Sequence, residues 1–181
     1  MNLKKLVSLA CASVFMLACS LEAHSSSDHH HHNHKPSNSV VYARASTLVN
    51  QLATDVNAQI ASIENLNAAN KVRLKNNRLI LEEAGRYFVT ASVQAGVITS
   101  LAPVAYVDIW FNKNGIPLPE TRTRISVPNN QAIVQLSSQA VLEFNKRDYL
   151  TIGFSTSNIQ IGLVGSSNPI IPSLTVSLFR I

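Results

Sequence analysis

Residues 71–181 contain a series of short runs in which every second residue is apolar. This alternation places apolar side chains on one face of an extended strand and polar side chains on the other. The runs lie at residues 72–74, 87–93, 105–111, 132–136, 150–154 and 174–178. Turn-forming residues separate them, at residues 76–77, 112–115, 128–130, 145–148 and 165–169. Many short strands with no helical pattern between them predict an all-β fold, either a sandwich or a barrel.

Residues 40–70 have a different character, because they are rich in Ala, Asn and Gln and contain neither Gly nor Pro. Five apolar residues recur there at spacings of three, four, seven and three, with Gln59 in the skipped position of the heptad. They are Val49, Leu52, Val56, Ile63 and Leu66. The pattern predicts a helix over residues 47–67, within a short helical or coiled-coil stalk of residues 40–70. One alternative is an amphipathic helix packed on its own domain, and another is a strand already present at residues 40–43.

The N-terminus has the features of an export signal. A cationic start with Lys4 and Lys5 precedes an apolar run over residues 6–18. This run is shorter than the about 20 residues of a membrane-spanning helix and suits a signal peptide. Two processing routes remain open. Cleavage after Ala23 would remove residues 1–23, whereas Met16-Leu17-Ala18-Cys19 is similar to a lipobox that would leave Cys19 as a lipidated N-terminus. Either route predicts an exported protein, secreted or anchored at the cell surface or outer membrane.

All six histidines lie within residues 24–34, in a segment of residues 24–39 that is too polar to fold. They are His24, His29, His30, His31, His32 and His34. Neutral imidazoles bind zinc, nickel and copper, so this tail is a candidate metal site. The alternatives are an inert soluble spacer and a purification tag. Cys11 and Cys19 both lie in the leader, so the sequence predicts that the remaining chain folds without a disulfide.

A cluster of basic residues begins the β region. Lys71, Arg73, Lys75 and Arg78 follow one another without an intervening acidic residue. The favoured interpretation is a solvated strand face that prevents edge pairing. The functional alternative is an anion-binding surface for an acidic or sulfated glycan or for lipopolysaccharide. Further basic pairs are Arg122 with Arg124 and Lys146 with Arg147. Nucleic acid is a poor candidate, because the clustered aromatic residues Trp110 and Phe111 alternate across a strand and are interpreted as structural.

Catalytic chemistry has little support in residues 71–181, which contain no His and no Cys. The acidic residues there that stand alone among strands and turns are interpreted as turn formers or solvated side chains. They are Asp108, Glu120, Glu143 and Asp148. Serine-rich loops lack a base that could activate a nucleophile. The sequence therefore predicts a protein that is not an enzyme and requires no cofactor.

Four segments together carry a family resemblance. They are residues 78–93, residues 107–118 with an Asn-Gly turn, residues 140–152 around Asp148, and residues 173–181 at the C-terminus. Their order resembles the complement component 1q and tumour necrosis factor jelly-roll superfamily, in particular bacterial members, over about residues 71–181. One departure is Arg147, which stands where the family usually has Gly.

The resemblance implies a jelly-roll β-sandwich head of residues 71–181 that forms a homotrimer through an aromatic-rich threefold interface. The expected function is that of an exported, non-enzymatic binding or surface-structural protein with an anionic glycan or cell-surface ligand. We expect no nucleic-acid partner for this protein, and we expect a membrane to be involved only through a lipid anchor. The alternative is a metal-handling protein that acts through its histidine-rich tail.

Overall fold

Antiparallel β-strands make up most of the fold. The computed structural model describes residues 40–54, 56–98, 104–128 and 133–181, which lie in the compact unit Asn38–Ile181. The strands are β1 (Tyr42–Thr47), β2 (Gln51–Leu52), β3 (Gln59–Ile60), β4 (Asn65–Asn70), β5 (Val72–Lys75), β6 (Arg78–Leu81), β7 (Gly85–Val97), β8 (Ala105–Lys113), β9 (Ile116–Pro117), β10 (Thr123–Val127), β11 (Val134–Phe144), β12 (Tyr149–Thr156), β13 (Ile161–Leu163), β14 (Ser166–Ser167), β15 (Ile170–Ile171) and β16 (Leu174–Arg180). One 3₁₀ turn, Pro119–Thr121, follows β9. The all-β prediction is confirmed for the described residues.

The strands form two main sheets. The first sheet has the order β2-β13-β7-β16-β1-β4, and β11 pairs with the other side of β7. The second sheet has the order β10-β8-β12-β6-β5, with β3 beside β12 and β9 beside β8. A small hairpin joins β14 and β15. Buried side chains from both main sheets belong to one hydrophobic core, as in a β-sandwich.

The pairing of the long strands is nested. The first strand, β1, pairs with the last, β16. Between these two strands in the sequence, β6 pairs with β12, β7 with β11 and β8 with β10, so each pair is enclosed by the one before it. A long antiparallel ribbon that is rolled up on itself produces this set of pairs. The topology therefore brings residues that are far apart in sequence onto the same face.

The predicted alternation is confirmed in β7 and β16. In β7 the side chains of Tyr87, Val89, Ala91 and Val93 are all buried, and the residues between them lie on the outer face. The same alternation holds in β16, whereas β8 is buried on both faces over residues 107–112 and β12 over residues 150–154. The Tyr87 ring packs edge-on against Phe144 at 5.7 Å between ring centroids. Its hydroxyl donates a hydrogen bond to the Glu83 carbonyl oxygen at 2.8 Å, which satisfies the one polar atom of this core side chain.

The two predicted asparagine turns are also confirmed. Asn76 and Asn77 both have positive φ and connect β5 to β6, and Asn114-Gly115 does the same between β8 and β9. Two-residue hairpins favour Asn and Gly because both central residues need left-handed backbone. The Asn76-Asn77 turn sets the register of β5 and β6, which carry Arg73, Lys75 and Arg78.

The predicted helix over residues 47–67 is wrong. Residues 40–70 instead contain β1, β2, β3 and β4, and β1 lies inside the first sheet between β16 and β4. Of the five heptad residues only Ile63 is buried; the other four are exposed. Sheet pairing overrides the local helix propensity of the Ala-rich segment: β1 pairs on both sides, and Ala43 and Ala45 are buried in the core. The alternative of a strand at residues 40–43 agrees better with the structure, because β1 begins at Tyr42.

The leader and the histidine tail, residues 1–39, lie outside the described residues. The export signal, the Cys19 lipidation and the metal site therefore remain predictions. Within the described ranges, no helix has the length and apolar character needed to cross a membrane.

Candidate ligand-binding surface

The basic strand, defined as Lys71, Arg73 and Lys75 with the adjacent Arg78, has the predicted orientation. Val72 is buried, whereas Arg73 and Lys75 are exposed on the outer face of the second sheet. Two of the four cations have acidic partners that the sequence did not reveal. Lys71 Nζ lies 3.6 Å from Glu83 Oε1, and Arg73 Nε lies 2.8 Å from Glu82 Oε1. This half of the strand is therefore partly neutralised.

A basic pocket of about 350 Å³ lies at the end of the basic strand. It is lined by Lys71, Arg73, Glu82, Glu83, Lys146 and Arg147. Four basic and two acidic side chains give it a formal charge of +2. The pocket joins half of the predicted cluster to the Lys146-Arg147 pair, whereas Lys75 and Arg78 are not part of it. Sequence reasoning found both pairs but missed that they meet.

Backbone hydrogen bonds fix the two halves of the pocket against each other. The Arg147 N–H donates to the Leu81 carbonyl oxygen at 2.7 Å, and the Glu82 N–H donates to the Lys71 carbonyl oxygen at 2.9 Å. The turn before β12 is thereby attached to the end of β6, and β6 to the start of β5. The contact between the two halves follows from the pairing of β6 with β12. The sequence does not show which strands pair, so it could not predict this contact.

Two lining residues of the basic pocket have a backbone conformation that is costly for them. Lys71 has φ of 61° and Arg147 has φ of 73°. The other non-glycine residues with positive φ in the described ranges are Asn76, Asn77 and Asn114, and Asn tolerates this region well. For a residue such as Arg the left-handed conformation costs about 1–2 kcal/mol. Arg147 thus has a backbone conformation that glycine adopts more readily.

Asp148 holds the same turn together and is largely buried. Its carboxylate accepts hydrogen bonds at 2.8 Å from Asn114 Nδ2 and from the Asn145 N–H, and Lys113 Nζ lies at 3.5 Å. Burial alone would raise the pKa of Asp148, but these hydrogen bonds and the lysine charge together lower its pKa below the ordinary value. This geometry agrees with the interpretation of Asp148 as a turn former.

Three arginine–aromatic stacks cover the outer face of the second sheet. The guanidinium of Arg124 lies 3.8 Å from the Tyr106 ring centroid, that of Arg122 lies 4.4 Å from Trp110, and that of Arg78 lies 4.6 Å from Tyr149. Stacking restricts each guanidinium while leaving its N–H edge available. The sequence could not show these contacts, because each depends on the register between neighbouring strands.

Arg124 also forms the tightest ion pair of this face. Its Nε and Nη2 donate to the two carboxylate oxygens of Asp108 at 2.7 and 2.8 Å. This hydrogen-bonded pairing raises the pKa of Arg124. Arg122 has no acidic partner among the described residues. Asp108 is 1% exposed in the middle of β8, so its interpretation as a turn former or solvated side chain is wrong; it is the buried partner of Arg124.

Trp110 is buried although it lies on the outer face of the sheet, with 2% of its surface exposed. Its ring crosses Gly153 of the neighbouring β12, and its Nε1 donates to Asn112 Oδ1 at 2.9 Å. Phe111 points the other way, into the core. The alternation of the two aromatic residues across the strand is confirmed, and their positions support the structural interpretation.

An apolar row crosses the outer face of the first sheet. It is defined by Val141, Phe88, Phe179 and Tyr42, which stand opposite one another on β11, β7, β16 and β1. Val141 is 47% exposed, Phe179 46% and Tyr42 40%. The Phe88 and Phe179 rings pack at 5.3 Å between centroids. Exposed contiguous apolar surface of this kind marks an interaction site more often than scattered apolar residues do.

Within the described ranges, no group of three or more His, Cys, Asp or Glu side chains could hold a metal ion. The predicted metal ligands in residues 24–34 and the lipidation site Cys19 lie outside those ranges. The described residues thus present two candidate binding surfaces, a basic pocket beside the second sheet and an apolar row on the first.

No protein-family model matches the chain, and a search of curated proteins finds no significant match.

Proposed function

We propose that this protein is an exported, trimeric, non-enzymatic binding protein with a jelly-roll head similar to the complement component 1q and tumour necrosis factor superfamily. The nested pairing of β1 with β16, β6 with β12, β7 with β11 and β8 with β10 supports the jelly roll. A jelly roll is a double sheet built from two Greek keys, and rolling one long ribbon generates those pairs. The head then comprises residues 38–181.

The apolar row carries the proposal of a trimer. Its four residues span three strand spacings, which is about 14 Å. The outward side chains next to the row are mixed: Thr90 and Ser177 are small, whereas Arg44, Arg86, Gln139 and Glu143 are long and polar or charged. The row itself supplies apolar area whose burial against a second copy stabilises the contact, and the polar side chains beside it surround that area as a rim. The occupant of this face is a second copy of the chain, and three copies close the ring that the resemblance implies.

The basic strand and basic pocket remain accessible in such a trimer, because they lie on the second sheet. Each copy contributes one basic surface, so a multivalent anionic ligand would bind with avidity rather than with three independent weak contacts. An acidic or sulfated glycan at a cell surface has this character. The ligand class proposed for the head is therefore anionic.

Sedimentation analysis of the full mature protein tests the trimer. We expect three copies for the wild type and a folded monomer for the double variant V141K/F179K, because both side chains point away from the core and lysine opposes burial of the row. The matched control is I116K, at a position that is 68% exposed next to the β8–β9 turn, and it should remain trimeric. A wild-type protein that is monomeric at micromolar concentration, or a trimer that survives V141K/F179K, would contradict the proposal.

Metal handling through the histidine tail is the second candidate. The observation that favours it is the confinement of all six histidines to residues 24–34. In that case the head serves as a trimeric carrier, and three tails together concentrate imidazole ligands.

A further inference from the structure

We propose that the basic pocket is a subsite for one tetrahedral anionic group of a glycan, a sulfate or phosphate ester. The inference deepens the proposed function and rests on it for the nature of the larger ligand. It differs from the basic strand as the sequence defined it, because Lys75 and Arg78 lie outside the pocket while Lys146 and Arg147 line it.

The charges in the pocket favour an incoming anion despite the two glutamates. Glu82 is engaged by Arg73 at 2.8 Å, and Glu83 is engaged by Arg180 at 3.0 Å and by Lys71 at 3.6 Å. The acidic side chains are thus already compensated. The side chains of Lys146 and Arg147 have no ion pair among the described residues, so their positive charge is available to a ligand.

The size of the pocket suits a single charged group with its sugar ring. Its volume of about 350 Å³ lies at the lower end of the range for small-molecule sites. Arginine presents a planar fork of N–H donors that matches sulfate and phosphate oxygens, and lysine adds a point charge. Arg147 and Lys146 provide one of each at the same rim.

The backbone of Arg147 is the second, independent observation. Its φ of 73° belongs to the region that glycine adopts without cost, and the hydrogen bond to Leu81 holds it there. Non-glycine residues in such conformations persist where the surrounding structure holds them, and they cluster at active sites and ligand clamps. Arg147 lines the basic pocket from this turn.

Because Arg147 has positive φ, the variant R147G removes the positive charge and at the same time relieves the backbone strain at this position. Calorimetric titration of the full mature protein should show binding of glucose 6-sulfate and glucose 6-phosphate, but not of glucose. R147G should weaken binding of both esters by about tenfold or more, because a charge-assisted contact is lost. Its melting temperature should not fall. K146Q should weaken binding as well.

The control variant is R122Q, which removes an exposed cation from the opposite edge of the same sheet. Its affinity for both esters should equal that of the wild type. The two ester types separate by pH, because a phosphate monoester gains its second charge at about pH 6 whereas a sulfate ester does not. Binding of the phosphate ester should therefore strengthen through that range, while binding of the sulfate ester stays constant.

Unchanged affinity in R147G would overturn the subsite, as would an equal loss in R122Q, which would indicate a diffuse basic face. Failure of the larger proposal has a different signature. A wild type that sediments as a monomer but binds the esters at Arg147 would remove the trimer and keep the subsite.

Discussion

Gly153 shows how a single residue without a side chain determines the outer layer of the second sheet. It stands directly opposite Trp110, whose ring lies across it, and a Cβ atom added there would overlap the ring. Glycine weakens a strand unless something packs over it, and an aromatic side chain on the neighbouring strand does so here. Arg122 then stacks on the indole.

We expect G153A to lower the free energy of unfolding by about 1–3 kcal/mol, because the methyl group displaces the indole from a close-packed position. Chemical denaturation measures the loss, and tryptophan fluorescence reports the movement, since Trp110 is the one tryptophan of the chain. The double variant W110L/G153A provides the control. The added methyl group should lower the free energy of unfolding much less when W110L/G153A is compared with W110L than when G153A is compared with the wild type. An equal cost in the presence and absence of the indole would show that the ring does not determine it.

Residue-scale features were predictable where a local rule decides them. The turns at Asn76-Asn77 and Asn114-Gly115 and the alternation of Trp110 with Phe111 follow from the chemistry of adjacent residues. The partners of the basic cluster were not predictable. Glu82 and Glu83 are near Lys71 in the sequence, but which of them meets which cation depends on the register of the β5–β6 hairpin.

At the scale of elements, β1 shows why pattern reading failed in one segment. The spacing of five apolar residues favoured a helix, while Val41, Ala43 and Ala45 alternated in a way that fitted a strand. Alanine gives a weak strand signal because it is small and forms helices readily. The core of the first sheet has room for small side chains at these positions, and the pairing of β1 with β16 and β4 decides the outcome.

The basic strand yields a prediction at the same scale. The triple variant K71Q/R73Q/K75Q should keep the wild-type melting temperature within a few degrees, because exposed ion pairs contribute about 0–1 kcal/mol each. It should elute from heparin at lower salt than the wild type, since three positive charges are lost from one edge. At a given salt concentration the variant should bind heparin less strongly than the wild type. This difference in binding should shrink as the salt concentration is raised, because screening shortens the range of the charges.

The control for this variant is R44Q/R86Q, which removes two exposed cations from the first sheet. It should change elution less than the triple variant does. Elution of the triple variant at the wild-type salt concentration would mean that the basic strand is a solvated face that prevents edge pairing and nothing more.

For the whole molecule, the two outer faces of the sandwich have opposite character. The first sheet presents the apolar row among polar side chains that include Arg44 and Arg86, and the second presents stacked arginines and the basic pocket. Alternation in the sequence predicts that each strand has an inner and an outer face. It does not predict which strands are neighbours, so the row of Val141, Phe88, Phe179 and Tyr42 emerged only with the sheet order.

The histidine tail gives the prediction that concerns the whole chain. Zinc titrated into the mature protein should release or absorb heat, whereas a shortened chain that begins at Val40 should give none. The shortened chain retains the Val40 carbonyl, which accepts a hydrogen bond from Asn70 Nδ2 at 2.7 Å, and should fold normally. Imidazole must be neutral to bind metal, so affinity should fall as the pH drops below about 6.5. Equal zinc affinity in both chains would place the metal site in the head.

Because β1 pairs with β16, the first sheet cannot close before β16 is available. β1 enters the sheet only against β16, whose final residues bring Ile181 alongside Arg86. Until those residues are available, Tyr42–Thr47 has β4 on one side and an empty edge on the other. Contacts between such distant segments slow folding, because a long loop must close before they form. A chain that crosses a membrane before it folds would benefit from this delay, since a partly translocated head could not close prematurely.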